Sequence, residues 1–280
     1  MKNLTVCIGM LSVAFSCFAE SNPVGNAKPS GPAVIAPLME LKGPRLCAHR
    51  GFPAVAPENS LAAYGAAVAL DASEIEVDLW WTKDGEPVTT HDPRIDRVSN
   101  GTGHVTNLTY AVLCELDFGE KVKGPHFKGL KIVHFRDLLR KLACQTIFNI
   151  HFKQHPSEER LQAFVELIRE YGAEKHVFFQ IDIESLHPVL ERLAPEIARY
   201  QGRGAWFDIV DRAIKYRCKG VQCYKKCCNA EVVKKAHEAG LIVNLFWSNE
   251  PEEAKELFKW GIDCLLTDDY QPISAATGAN

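Results

Sequence analysis

Eight short runs of β-forming residues, near 45–50, 74–79, 147–152, 177–181, 196–200, 219–223, 241–246 and 263–267, alternate with amphipathic helical segments along this 280-residue chain. Strands that alternate with helices build parallel βα units, because each crossover helix returns the chain to the same edge of the sheet. Leu161, Phe164, Val165, Ile168 and Tyr171 recur at helical spacing, and Asn59 is placed to cap a helix carrying Leu61, Tyr64, Gly65 and Val68 on one face. Eight βα units are the count of a closed (β/α)8 TIM barrel, which occupies ~250 residues as one domain. The competing α/β arrangement is a doubly wound open sheet, but no Gly-rich dinucleotide or phosphate loop follows an early strand. Residues 80–133 depart from the alternation and read as a hairpin and small insertion after the second barrel strand, with no clear crossover helix. Chemistry in a barrel sits at the C-terminal ends of the strands, so such an insertion would lie over it.

The chain ends frame this domain. Lys2, an apolar run from Leu4 to Phe15 and then Cys17-Phe18-Ala19 read as a secretory signal over 1–19, too short to span a bilayer. That places the mature protein in the periplasm or outside the cell, with lipoprotein anchoring through Cys17 as the lesser reading. Residues 20–43, rich in Pro, Gly, Ser and Ala, read as a flexible leader, 44–272 as the barrel, and 273–280 as a disordered tail. A net charge of −3 without a basic block argues against nucleic acid and toward a small soluble partner, with no integral membrane segment once the signal is removed. Cys47, Cys144 and Cys264 lie in or beside apolar runs and read as buried thiols. Cys218, Cys223, Cys227 and Cys228 crowd together, and an oxidising compartment would allow one local disulfide among them, of open connectivity.

Several residues with chemical potential gather in this frame. In E-V-D, Glu76 and Asp78 are two apart, so on a strand they project from one face as half of a metal site. Asp84-Gly85 signals a two-residue hairpin turn; pairing 83 with 86 sets His91 across from Asp78. His49, Glu76, Asp78, His151, Lys153, Gln180 and Trp247 all fall at or just past strand ends. Each alone fits a solvated strand charge or a satisfied core side chain, yet together they share one end of one barrel. His104, His126, His134, His155, His176, His187 and His237 have no such context and read as surface or capping residues.

The runs C-A-H-R-G-F-P-A-V-A-P-E-N-S (47–60), E-I-E-V-D (74–78), T-K-D-G-E-P-V-T-T-H-D (82–92), R-V-S-N-G-T-G (97–103) and G-I-D-C-L-L-T-D (261–268) resemble the glycerophosphodiester phosphodiesterase family, in its order and spacing, from about residue 45 to 270. The resemblance implies a metal-dependent barrel hydrolase that cuts a glycerophosphodiester into glycerol 3-phosphate and an alcohol. It implies catalytic roles for His49 and His91, phosphate binding for Arg50, and metal ligation for Glu76 and Asp78. Charge grows on the phosphoryl oxygens as a diester is cut, so cationic groups such as Arg50 and Lys153 and a divalent ion suit the reaction. Two histidines titrating near neutrality can serve as its acid and base.

One departure stands out. The family pattern N-I-E-x-K reads N-I-H-F-K here (149–153), so His151 replaces a third carboxylate ligand. Imidazole can ligate, but the exchange shifts preference from Ca²⁺ and Mg²⁺ toward Mn²⁺, Zn²⁺ or similar ions; one divalent ion of open identity is expected, the alternative being no ion, with His151 as a third cationic or proton-transferring group over the phosphate. Gln180, followed by Ile-Asp in place of the family's Ser and aromatic residue, and Phe246 or Trp247 would line the substrate pocket, while Glu58 would brace the first loop. Two other readings stay open. One is a phospholipase D-like cyclising enzyme for a lysolipid or sugar phosphodiester, whose apolar groove could draw on Phe118, Phe127 and Phe135. The other is a catalytically idle barrel that binds a phosphorylated ligand.

Overall fold

Side-chain alternation along parallel strands sets the architecture. The computed structural model describes residues 34–202 and 208–280; the expected secretory signal (1–19) and the first part of the leader lie outside the described residues. The elements run β1 (Arg45–Ala48), α1 (Leu61–Ala69), β2 (Glu74–Trp81), β3 (Pro87–Thr89), α2 (Tyr110–Glu115), α3 (Glu120–Lys123), β4 (Val133–His134), α4 (Phe135–Leu142), β5 (Ile147–Phe152), α5 (Glu158–Glu170) and β6 (Val177–Ile181). They continue with α6 (Leu186–Leu193), β7 (Ala198–Gln201), α7 (Ile209–Lys215), β8 (Gly220–Tyr224), α8 (Ala230–Glu238), β9 (Ile242–Phe246), α9 (Pro251–Lys259), β10 (Cys264–Thr267) and α10 (Tyr270–Thr277). Strands β1, β2, β5, β6, β7, β8, β9 and β10 pair in parallel in that order, and β10 pairs back with β1, which closes the barrel.

Because successive strand residues point to opposite faces, one set can be apolar and the other polar. Leu46, Ile75, Val77, Phe148, Ile150, Phe179 and Val243 join the continuous core between the strands and the helices. The inward set is different, since Glu74, Asn149, Gln180, Gln222 and Asn244 form a hydrogen-bonded polar layer across the barrel. Asn149 Nδ2 and Asn244 Nδ2 donate to Glu74 Oε1 at 3.0 and 2.8 Å, and Gln222 Nε2 donates to Gln180 Oε1 at 2.7 Å. Below it Ile147, Phe178 and Tyr200 pack on Leu38. The part of the leader from 34 to 43 is therefore docked. Leu38 is buried in the barrel floor, and Ile35 is tied by its N–H to Cys144 O and by its carbonyl to His176 Nε2, both at 2.9 Å.

Other differences from the sequence reading have local causes. Residues 273–280 are not a disordered tail, because Ile273 and Ala279 are buried and Leu46 N–H donates to Asn280 O at 3.1 Å. The hairpin loop has three residues, Lys83-Asp84-Gly85, with Thr82 N–H bonded to Glu86 O at 3.0 Å and Gly85 at φ +93°. A three-residue loop that ends in a left-handed glycine shifts the register by one relative to a two-residue turn. Leu79 pairs with Thr89, and Thr90 N–H rather than His91 meets Asp78 across the ladder. A crossover helix does follow the insertion: α4 buries Phe135, Leu138 and Leu139 on one side. The insertion has its own small core around Trp80, Val88, Ile95, Val105, Leu113 and Phe118. Phe135 is thus buried in the main core, and Phe118 is buried in the insertion's core, where it also lines a small cavity with Val98, Ile132 and His91.

Ser60, not Asn59, caps α1, accepting from Ala63 N–H at 3.1 Å. His176 and His187 are buried rather than on the surface; His187 stacks on Tyr216 with ring centroids 4.4 Å apart, and burial pushes its pKa down to about 4. Cys218, Cys223, Cys227 and Cys228 carry thiols, with no disulfide among them. Cys144 is half-buried, whereas Cys47 and Cys264 are fully buried.

Phe164 of α5 is central to the outer core, with ring centroids 4.7 Å from Phe135, 5.6 Å from Trp81 and 6.0 Å from Phe152. Removing a buried ring loses its transfer free energy and leaves a cavity, so Phe164→Ala should lower the stability measured by chemical denaturation by about 3–5 kcal/mol.

Candidate active site

The C-terminal ends of β1, β2, β5 and β6 build most of the site. Inward alternation places Glu76 and Asp78 of β2 beside His151 of β5, where Asp78 and His151 are partners in the parallel ladder. One ligand atom from each of Glu76, Asp78 and His151 lies within 4.8 Å of the other two, and all three residues are buried. Two carboxylates and an imidazole at that spacing can reach one divalent ion, for which bonds run about 2.0–2.6 Å. His151 Nδ1 is 3.7 Å from both Glu76 Oε1 and Asp78 Oδ1, so the nitrogen faces the two carboxylates.

Asp78 is fully buried, and its charge needs partners. Lys153 Nζ lies 2.7 Å from Oδ1, Arg50 Nε 3.5 Å from Oδ2, and Asn59 Nδ2 donates to Oδ2 at 2.9 Å. Burial opposes ionisation, but Lys153, Arg50, His151 and His91 together hold the carboxyl well below the usual range. Asn59 has the residue type and position of a helix cap, but its buried amide instead orients Asp78, accepting from Asp78 N–H at 3.2 Å and from Tyr64 OH at 2.7 Å. The Asn in P-E-N-S was visible in the sequence, but its neighbour Ser60 was the better cap.

Arg50, at φ +57°, turns the chain out of β1 and donates its backbone N–H to Glu76 Oε2 at 3.1 Å. Its guanidinium is braced by Glu58 at 3.1 Å, and Glu58 is shared with Arg97. Lys153 Nζ also donates to His151 Nδ1 at 2.9 Å, so an ammonium already occupies the region where His151 and Asp78 converge. Burial works against a charged His151, yet the carboxylates of Asp182, bonded to Nε2, and of Glu76 outweigh it and raise the pKa above the ordinary value.

The two motif histidines are each backed by a carboxylate that the sequence reading did not single out. His49 Nδ1 bonds Asp268 Oδ1 at 2.7 Å, and His91 Nδ1 bonds Asp92 Oδ1 at 2.8 Å. With Nδ1 as the donor in each pair, Nε2 is left as the acceptor. Asp268 stands one residue past the end of β10, a position that the strand-end rule could have identified. His49, Arg50, Glu76, His91, His151, Lys153, Gln180, Gln222, Tyr224 and Phe246 line one cavity of about 230 Å³. Phe246 takes the aromatic position, edge-on to His49 with centroids 5.0 Å apart. Trp247 packs with Phe246 on Cys47, Cys264 and Leu266, and its ring lies 5.7 Å from Lys225 Nζ.

The sequence profile of the Glycerophosphoryl diester phosphodiesterase family matches residues 49–271. A glycerophosphodiester phosphodiesterase of Caldanaerobacter subterraneus is 28% identical over 237 residues, covering 81% of this chain and 94% of that protein. One from Bacillus subtilis is 27% identical over 242 residues, covering 79% of this chain and 82% of its own length. Among solved structures, an Oleispira antarctica phosphodiesterase in complex with the product sn-glycerol-3-phosphate matches with a TM-score of 0.78 at 26% identity, over 84% of this chain and 97% of that one.

The acid response of one pair follows from its geometry. Burial would raise the Asp268 pKa, but the hydrogen bond to His49 and nearby positive charge lower it below its ordinary 3.8. A carboxyl depressed in the folded state stabilises it fully above the unfolded value, and that contribution is lost as pH falls through the folded value. Asp268→Asn should therefore make the loss of Tm below about pH 4 shallower than in the parent. A variant whose acid-limb slope matches the parent's would show that the pair is not linked to folding.

Proposed function

Because the chain belongs to the glycerophosphoryl diester phosphodiesterase family, we propose that it hydrolyses a glycerophosphodiester to glycerol 3-phosphate and an alcohol with the help of one divalent ion. The observation that carries this reading is the meeting of His49, Arg50, Glu76, His91, His151 and Lys153 on the wall of a single cavity. Glu76, Asp78 and His151 would hold the ion, which would supply positive charge against the phosphoryl oxygens.

The protein side chains account for the remaining requirements. Hydrolysis takes a proton from the attacking oxygen and returns one to the leaving alkoxide. His49 and His91, each with Nδ1 bonded to a carboxylate, hold Nε2 ready for those two transfers. Arg50 is kept extended by Glu58 and Asp78 and offers its remaining N–H groups to an anionic oxygen. Lys153, two residues beyond His151 on the same face, adds a second cation at the cavity wall. Glu76, Asp78 and Asp182 would repel a phosphodiester without those cations and the ion, so charge balance favours binding substrate and metal together. A pure phospho-ligand binder has no need of two carboxylate-backed histidines. The secretory segment read over 1–19 would deliver this activity to the periplasm or outside the cell.

The test is hydrolysis of a glycerophosphodiester panel by metal-stripped protein re-supplied separately with Ca²⁺, Mg²⁺, Mn²⁺ and Zn²⁺, following release of glycerol 3-phosphate. Turnover should return with at least one ion, and His49→Ala or His91→Ala should lower kcat by about 10²–10⁴-fold while leaving ion binding intact. Folded parent protein that releases no glycerol 3-phosphate with any of the four ions would overturn the proposal.

A further inference from the structure

A neutral histidine ligand needs its ring fixed and its second nitrogen occupied, and β6 supplies both conditions. Inward alternation along β6 carries Gln180 and then Asp182 to the cavity end, one strand over from His151, whose ladder partner is Gln180. Asp182 Oδ2 accepts from His151 Nε2 at 2.9 Å, and Asp182 Oδ1 accepts from Gln180 Nε2 at 3.3 Å. The opposite nitrogen, Nδ1, accepts from Lys153 Nζ at 2.9 Å and points at Glu76 and Asp78. In the neutral ring both ends therefore specify the same tautomer, with hydrogen on Nε2 and a lone pair on Nδ1. The neighbouring strand makes space for this arrangement. A Cβ on Gly202, just past β7, would lie 2.1 Å from Asp182 Oδ1, so any other residue there would push the carboxylate off its present position.

We propose that Asp182, seated over Gly202, is a positioning residue that locks His151 with Nδ1 toward the ion shared with Glu76 and Asp78, so that His151 and Asp182 act together in place of a third carboxylate ligand. The inference rests on the ion site proposed above. A direct carboxylate ligand would complete an all-oxygen set, which suits Ca²⁺ and Mg²⁺. The imidazole introduces nitrogen, which suits transition ions, while Asp182 returns the lost negative charge one shell further out and increases the basicity of Nδ1. Selectivity for Co²⁺, Mn²⁺ or Zn²⁺ over Ca²⁺ then depends on a residue that does not touch the ion.

Ion binding by the whole folded protein tests this without recourse to turnover. Calorimetric titration with Co²⁺ and with Ca²⁺, together with the visible absorption of bound Co²⁺, would be measured for the parent, Asp182→Ala, Asp182→Asn, Gly202→Ala and His151→Glu, and for His151→Glu combined with Asp182→Ala. Loss of an outer carboxylate from a histidine ligand typically costs 10–100-fold in affinity, so Asp182→Ala should weaken Co²⁺ by about that factor, with Gly202→Ala and Asp182→Asn weakened less. In the His151→Glu background Asp182→Ala should no longer weaken Co²⁺, because there is no imidazole to position. Co²⁺ affinity unchanged in a folded Asp182→Ala protein, or weakened equally with Glu at position 151, would overturn the positioning role and leave the ion site standing. A parent protein that binds neither ion would overturn the site itself and the inference with it.

Discussion

The carboxylate of Asp78 has no contact with solvent, and the geometry of the catalytic end follows from what is needed to keep it charged there. An ionised group taken out of water is tolerated only when oppositely charged and hydrogen-bonding partners replace the lost hydration. Lys153, Arg50 and Asn59 provide these, from three different segments. Arg50 is thereby fixed at the end of β1, Asn59 turns the chain into α1 with φ +53°, and Lys153 is drawn across from β5. Removing one partner would leave an uncompensated buried charge, so these residues form a cooperative unit in which each position constrains the rest.

The same constraint extends inward. Many barrels fill their interior with branched apolar side chains. Here the middle layer is a set of amides around Glu74, with Arg45 at 3.6 Å from its carboxylate. Burial raises the Glu74 pKa even with Arg45 beside it, whereas Asp78 above is held in the opposite direction by its cluster of cations. Two carboxylates on one strand, four residues apart on one face, therefore have opposite protonation tendencies, set by the density of positive charge around each. The contrast separates a structural acid in the polar layer from an acid held charged beside the cavity residues Arg50, His151 and Lys153.

Much of this was legible in the sequence. The eight β-rich runs all became barrel strands within a residue or two at each end, because β-forming residues cluster there between segments of helical spacing. Glu76 and Asp78 could be placed on one face for the same reason. Errors arose where one residue has two uses. Asp84-Gly85 fits both a two-residue and a three-residue loop, and only the contact of Thr82 with Glu86 separates them. Asn59 satisfies the preferences of a helix cap as well as those of a buried amide. The helix over 135–142 was masked by its position directly after the irregular insertion, although Phe135, Leu138, Leu139 and Leu142 carry helical spacing. Asp182 and Asp268 lack a local signal of their own; they become partners of His151 and His49 only when strands far apart in sequence are brought side by side.

The barrel floor has a directional consequence. Leu38 seals it from one side of the sequence, while Ala279 is buried and Asn280 accepts from Leu46 near the start of β1. Residue 34 and the last described residue thus emerge at the end of the barrel opposite the cavity. A tether attached through either would hold the molecule by its base, with the cavity mouth turned away from whatever surface the tether joins.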